Sequence, residues 1–326
     1  MQLNKFEHLR NQIQELYRIG DYPTALDLVE TNLSIYPDQK YFLLYWRLTL
    51  ASQQGDFQTA ISALQEMIDD GYWMNEALLR IPPSLEPLQE VDEFEKLVQM
   101  NNQLRKIDEG SLYPILVSRP ESGCLPEDNP CPMLLAFHAN ASMAPISFDF
   151  WVSAAKQGWL VAAPQSFQAM WKGAYTWDDM QIATAEIKGH YRSLTQNYQI
   201  DGDKTVLSGL VGGAEIALCL ALRREIESIG FIVINPQGSI TSVLDECISP
   251  SVDYSSFGIR GYFIYGEKVE ESPEDSIKEI IITLNELGIE CKSEQVPQAG
   301  FAFESTYSTS LLNGLNYLMS NKFLSV

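Results

Sequence analysis

The chain contains three histidines, His8, His138 and His190. Acyl transfer by an activated serine or cysteine needs an imidazole that takes the proton of the nucleophile. Any such chemistry in this protein must therefore use one of these three residues. The same small number excludes a histidine-rich metal site, and we expect neither a metal ion nor a cofactor.

The stretch that could carry a nucleophile is KTVLSGLVGGAEIALCLAL, residues 204–222. An apolar strand, a turn with three glycines and a segment of helical period follow one another there. A sharp strand-to-helix turn of this kind presents a serine at the centre of G-x-S-x-G. Here the central residue is Val211, which has no lone pair with which to attack a carbonyl. Glycine-rich turns before helices also form phosphate loops or plain tight turns.

Short β-rich runs alternate with helical patterns from Leu112 onward. This alternation predicts an α/β fold with a doubly wound, mostly parallel sheet and helices on both faces. The predicted strands are residues 112–118, 133–139, 159–165, 205–210, 231–236, 262–267 and 292–297.

The first hundred residues have a helical pattern with an internal repeat. The segment GDYPTAL (20–26) recurs as GDFQTAI (55–61), and each copy precedes an amphipathic helix. A period near 34 residues resembles the tetratricopeptide repeat. We therefore expect an all-α domain over residues 1–105 and a second domain over 111–326. The repeats bind a protein or peptide partner, or they only cap the second domain.

Composition limits the classes of partner. Lys and Arg number 22 against 43 Asp and Glu, so the net charge is −21. Such a surface repels nucleic acid and anionic lipid. No apolar run has the length of a membrane span, and no apolar segment follows a basic start, so we expect a cytoplasmic protein. The five cysteines include no C-x-x-C pair, and we expect all five to be free buried thiols.

Three stretches carry a resemblance to the α/β-hydrolase superfamily, in particular to its carboxylesterase, phospholipase and dienelactone-hydrolase types. They are MLLAFHAN (133–140), YQIDGDKTVLSGLVGGAEIAL (198–218), and the chain ending of strand, loop, helix, strand and loop over residues 263–305. The resemblance covers roughly residues 111–322 and leaves the helical repeats outside it.

The resemblance implies which positions would form a catalytic site. The serine, acid and histidine positions of the family fall on Val211, Val269 and Phe301, so all three triad residues are replaced by apolar ones. His138, Ala139 and Gly212 fall in the region that supplies the oxyanion hole, with Ala139 in place of a glycine. His138 is expected to orient a loop through a hydrogen bond.

The leading hypothesis is a non-catalytic binding or scaffold protein with a degenerate hydrolase-like domain. The alternatives are an active esterase or acyl hydrolase with a displaced catalytic set that uses His138, and a sensor of small apolar carboxylates. The aromatic residues Trp171, Tyr175 and Trp177 either line a ligand cleft or cover the core.

Overall fold

The computed structural model describes residues 2–236, 240–269, 274–300 and 305–320. The chain divides into two units. The helical unit contains residues 1–112 and the short segment Ala169–Lys172, and the sheet unit contains the remainder of the chain. Because no comparison tests the predicted domain bounds of 1–105 and 111–326, they stay a prediction.

The helical unit is built from six α-helices around two apolar clusters. Short 3₁₀ turns at Pro37–Gln39 and Pro83–Leu88 connect them. The helices are α1 (Gln2–Ile19), α2 (Tyr22–Asn32), α3 (Lys40–Gln53), α4 (Phe57–Asp69), α5 (Glu76–Arg80) and α6 (Asp92–Glu109).

The sequence repeat has a structural counterpart at the starts of α2 and α4. Gly20 and Gly55 both adopt positive φ, at 79° and 75°, a conformation that costs glycine little. The aspartates that follow them cap the two helices, since each carboxylate accepts a hydrogen bond from the backbone N–H of a threonine three residues later. The repeat therefore encodes a helix stop and a helix start. The tetratricopeptide character of the repeats stays a prediction.

The sheet unit contains the remaining elements. Its strands are β1 (Ile115–Ser118), β2 (Cys131–Phe137), β3 (Leu160–Pro164), β5 (Ala174–Thr176), β6 (Ile200–Leu210), β7 (Gly230–Ile234), β8 (Arg260–Gly266) and β9 (Glu290–Val296). One further strand, β4 (Gln168–Trp171), lies almost entirely in the segment assigned to the helical unit. Its helices are α7 (Ala144–Trp151), α8 (Met180–Asn197), α9 (Gly212–Leu222), α10 (Ile240–Cys247), α11 (Glu274–Glu286) and α12 (Ser305–Met319).

Seven strands form one sheet in the order β1-β3-β2-β6-β7-β8-β9. Strand β1 runs antiparallel to β3, and all other neighbours are parallel. Phe137 pairs with Gly209, Gly209 with Val233, and Val233 with Phe263. The residues that follow β2, β6, β7 and β8 therefore lie at one carboxyl edge, where parallel α/β sheets place their functional groups.

Helices cover both faces of the sheet. Alternate residues of β2 belong to different cores: Leu135 and Phe137 pack with α8, α9, α10 and α11, whereas Leu134 and Ala136 pack with α7 and α12. Every residue of β7 is buried, as expected for a central parallel strand. The predicted α/β architecture preceded by a helical region is confirmed, while strands β4 and β5 were not predicted.

The prediction of five free thiols is wrong for four of the cysteines. Cys124 is bonded to Cys131 and Cys219 to Cys247, and only Cys291 is free and buried. The Cα–Cα distances of the two pairs are 5.3 Å and 5.2 Å, within the range that a disulfide requires. Sequence spacing did not reveal the second pair, because the fold brings α9 and α10 together.

Among the residues that the structure describes, no helix combines the length and the apolarity needed to cross a bilayer.

Candidate functional site

The turn between β6 and α9 has the backbone of a nucleophile elbow. Val211 stands between the two elements with φ 55° and ψ −117°, and its backbone N–H donates to the carbonyl of Ile234 at 3.0 Å. Positive φ is rare for a β-branched residue and costs about 1–3 kcal/mol. The side chain is 7% exposed. A strained strand-to-helix turn with a hydrocarbon side chain therefore lies where the sequence predicts the nucleophile position.

The neighbouring glycines are required by close backbone contact. A Cβ atom on Gly209 would approach the carbonyl of Gly213 closer than 3.0 Å. A Cβ atom on Gly213 would approach the carbonyl oxygens of Phe137 and His138 equally closely. Backbone atoms cannot move aside as a flexible side chain does, so only glycine fits. The three-glycine pattern in the sequence thus reflects tight packing of α9 against the ends of β2 and β6.

Asn140 is the residue that sequence reasoning missed at this turn. Its side-chain amide lies where a Cβ atom on Gly212 would stand. Its Oδ1 accepts from the backbone N–H of Trp177 at 3.3 Å, and its Nδ2 donates to Asp178 at 3.4 Å. Asn140 follows the predicted His138–Ala139 pair directly, so its position at the end of β2 was the available signal. The His138 carbonyl and the Asn140 side chain thus contact the turn at Gly213 and Gly212, while the oxyanion-type role of His138, Ala139 and Gly212 stays a prediction.

His138 is fully buried, and both of its ring nitrogens are in hydrogen bonds. Nε2 accepts from the backbone N–H of Ser166 at 3.2 Å, so the proton resides on Nδ1, which donates to the carbonyl of Ala139 at 2.8 Å. Burial lowers the pKa of His138 to about 4, although the Ala139 carbonyl favours the charged form. The imidazole is therefore neutral at pH 7, and it positions two loops.

Trp177 closes the other side of this histidine. Its indole N–H donates to the His138 carbonyl at 2.9 Å, and the two rings lie 4.8 Å apart. Trp177 and Tyr175 are buried in the sheet unit, so these two aromatic residues cover the core. Trp171 belongs to the helical unit and lines a cavity there.

The predicted acid and histidine positions follow β8 and β9. Val269 is buried, and its N–H donates to the carbonyl of Gly266 at 3.2 Å. The predicted histidine position, Phe301, lies outside the described residues. Register places Val211 and Val269 at the same edge of the sheet, after strands that flank β7. Their assignment as former triad positions stays a prediction.

A buried polar network holds the ends of β7 and β8 and the segment before Phe301. Asn235, with φ 46°, donates through Nδ2 to the hydroxyl of Tyr307 at 3.0 Å and accepts through Oδ1 from the Gly266 N–H at 2.9 Å. The Tyr307 hydroxyl donates to the carbonyl of Gly300 at 2.7 Å. The groups that fix these loops are thus the side-chain amide of Asn235 and the hydroxyl of Tyr307.

The other two histidines lie on helices. His8 lies on α1 in the helical unit, and His190 lies on α8 with its ring 6.4 Å from Phe167. Burial lowers the pKa of His190. In the described part of the chain, no group of three His, Cys, Asp or Glu residues is arranged to hold a metal ion.

Comparison with known proteins supports this fold. The family model described as the A/B hydrolase-like, N-terminal domain matches residues 5–108. A crystal structure of an uncharacterised Bacillus cereus protein is similar to this chain at 20% identity and a TM-score of 0.50, and the match covers 97% of this chain and 99% of that one. No curated protein gives a significant match.

Two esterase structures are similar to a shorter part of the chain. A ferulic acid esterase shares 13% identity over 63% of this chain and 91% of its own, and esterase PE8 shares 14% over 63% and 98%. Both have a TM-score of 0.50. At these identities the likeness shows the fold, and the predicted resemblance to the α/β-hydrolase fold is confirmed.

Proposed function

We propose that this protein is a non-catalytic relative of the α/β-fold esterases and that it acts by binding. The observation that carries the proposal is Val211, a residue without a nucleophilic atom, held in the backbone geometry of the elbow. An acyl-enzyme mechanism cannot begin there, since no lone pair is available to attack a carbonyl.

The hydroxyl groups of the surrounding strands and loops support the same conclusion. Ser208 is buried on β6, and its Oγ donates to the carbonyl of Ile232 at 2.9 Å. Ser166 is also buried, and its Oγ donates to the carbonyl of Thr176 at 2.6 Å. Both hydroxyls are committed to backbone carbonyls in the core, so neither is poised to replace an elbow serine.

The state of His138 is the second support. His138 accepts a backbone hydrogen bond at Nε2 and has a pKa of about 4, so it is a weak base without a free lone pair. An esterase with a displaced catalytic set that uses His138 would require this ring to leave both hydrogen bonds. We regard that alternative as the one to be tested.

We propose two classes of ligand, a small apolar carboxylate and a protein or peptide partner. The N-terminal dipole of α9 at Gly212 favours an anion, and Val211 and Val269 add hydrocarbon, which suits a small apolar carboxylate. The helical unit is the proposed surface for a protein or peptide partner. We propose that the protein is cytoplasmic.

Labelling with a fluorophosphonate probe tests the proposal. The wild-type protein should remain unlabelled under conditions that label an esterase with an elbow serine, and p-nitrophenyl esters should be hydrolysed no faster than by bovine albumin. The single reversion Val211→Ser should restore little, because serine without a base is a weak nucleophile, whereas Val211→Ser, Val269→Asp and Phe301→His together should restore more. Wild-type turnover that disappears in His138→Ala would overturn the proposal.

A further inference from the structure

The helical unit contains a cavity with aromatic walls that the proposed function does not use. It encloses about 310 Å³, at the lower end of the range for small-ligand sites. The rings of Tyr41 and Tyr72 stack there with centroids 3.8 Å apart. The other lining residues are Asp38, Gln39, Phe42, Tyr45, Met74, Leu78 and Trp171. Five aromatic rings and one carboxylate thus line a single cavity.

The hydrogen bonds of the helical unit hold the cavity in shape before any ligand binds. Asn101 is buried, and its amide both donates to the Met74 carbonyl and accepts from the Met74 N–H, each at 2.9 Å. The hydroxyl of Tyr45 donates to the carbonyl of Leu78 at 3.0 Å. A pocket whose walls are already fixed loses less entropy on binding.

Trp171 reaches this cavity from the segment Ala169–Lys172, which the fold assigns to the helical unit. Trp171 forms an antiparallel β-bridge with Met74, and the N–H of Lys172 donates to the carbonyl of Trp73 at 2.9 Å. The side chain of Asn75 donates to the carbonyl of Ala169 at 2.8 Å. The indole is therefore held in the wall by backbone pairing, which is the arrangement of a built site.

The charges around the cavity favour a cation. Asp38 is exposed and has no cationic partner among the described residues. Lys40, at the start of α3, is engaged by Asp70 at 2.7 Å and Glu66 at 2.9 Å. Lys172, next to Trp171 in sequence, is not part of the lining, and its ammonium donates to the carbonyl of Gly71 at 2.9 Å. The carboxylate of Asp38 is thus the uncompensated charge of the lining.

We propose that this cavity binds a small organic cation that carries N-methyl groups. Such a cation is attracted to the faces of electron-rich rings, its methyl groups replace water on the apolar walls, and its charge is complementary to Asp38. The site is independent of the elbow, because its lining belongs to the helical unit. The proposal therefore does not depend on whether the sheet unit is catalytic.

A matched pair of probes separates the charge from the shape. Choline and 3,3-dimethylbutan-1-ol differ in one atom, nitrogen against carbon, and hence in charge. Isothermal titration of the full-length protein should show choline binding roughly 5- to 30-fold more tightly than the alcohol. Equal affinity, tighter binding of the alcohol, or no heat from choline at tens of millimolar would overturn the proposal.

Two variants locate the binding in the cavity. Trp171→Leu should weaken choline binding at least about fivefold, because it removes the strongest cation–π partner. Asp38→Asn should weaken it roughly two- to fivefold, with a smaller loss at high salt. Tyr113→Leu and Asp27→Asn, outside the cavity, serve as matched controls.

The exposed position of Asp38 keeps the test decisive if Trp171→Leu fails to fold. Choline affinity that Asp38→Asn leaves unchanged at low salt would contradict the proposal, as would an equal loss in Asp27→Asn. An unchanged affinity in a folded Trp171→Leu variant would place the binding elsewhere and would also overturn it.

Discussion

Acidification should destabilise the sheet unit through His138. The pKa of this residue is about 4 in the folded chain, against an ordinary value of 6.5, because burial disfavours the imidazolium. Between these values the unfolded chain binds a proton that the folded chain excludes, so stability is lost as the pH falls. The loss develops from about pH 6.5 to about pH 4 and amounts to about 3 kcal/mol, of which about 2 kcal/mol falls between pH 7 and pH 5.

Glu186 on α8 contributes with the opposite sign. Burial raises the pKa of this half-buried carboxyl to about 7, from an ordinary value of 4.5. The folded chain therefore holds a proton that the unfolded chain has released, and stability is lost as the pH rises between these values. A variant that removes one of the two titrating groups, compared with the wild type, isolates the contribution of that group to the pH dependence of stability. All other titrating groups contribute equally to both proteins and cancel in the difference.

Urea unfolding, followed by circular dichroism over a series of pH values, measures both effects. His138→Gln keeps an acceptor for the Ser166 N–H but cannot titrate, so its stability should fall less than that of the wild type below pH 6.5. Glu186→Gln should lose stability more steeply than the wild type as the pH falls, because it lacks the opposing contribution of Glu186. A His138→Gln variant whose pH slope equals that of the wild type would refute the reasoning. An imidazole that titrates near pH 6.5 by NMR would also refute it and would favour the esterase alternative.

Two further predictions concern the elbow and the cysteines. Gly213→Ala should destabilise the protein by about 3 kcal/mol or more in thermal or chemical unfolding, since the added methyl meets backbone carbonyls, whereas Gly189→Ala, in open space on α8, should stabilise it by about 0.5–1 kcal/mol. Similar effects of the two changes would contradict the packing of the turn. In denaturant without reductant, one thiol, that of Cys291, should react with an alkylating reagent, and all five should react after reduction. In the native protein Cys291 should react slowly, because burial raises its pKa to about 12. Five reactive thiols before reduction would exclude both disulfides.

The thiol count also bears on localisation. Composition led us to expect a cytoplasmic protein, whereas disulfides are typical of oxidising compartments. Retention of both disulfides after isolation with a thiol-blocking reagent would favour an oxidising compartment. Five free thiols under the same conditions would agree with the cytoplasm.

The sequence by itself determined the helical region and the alternation of strands and helices that follows it, although β4 and β5 were not predicted. The period of the apolar residues changes from helical to strand-like near residue 112, and burial imposes that period wherever one face of an element is covered. The glycines of the turn were visible in the sequence, and close backbone contact explains two of them, Gly209 and Gly213. The repeated Gly-Asp pair was equally visible, since helix stops and N-caps are local features that depend on few neighbours.

Only the tertiary structure decided which side chains meet. Asn140 against Gly212, and Asn235 with Tyr307, are contacts between residues distant in the chain, and no local preference of an asparagine predicts its partner. The Cys219–Cys247 disulfide also joins residues that only the fold brings together. The same holds for Trp171 in the wall of the cavity of the helical unit. Local periodicity follows from the chemistry of neighbouring residues, whereas these contacts follow from the packing of whole elements, which the sequence specifies only when all of them are assembled.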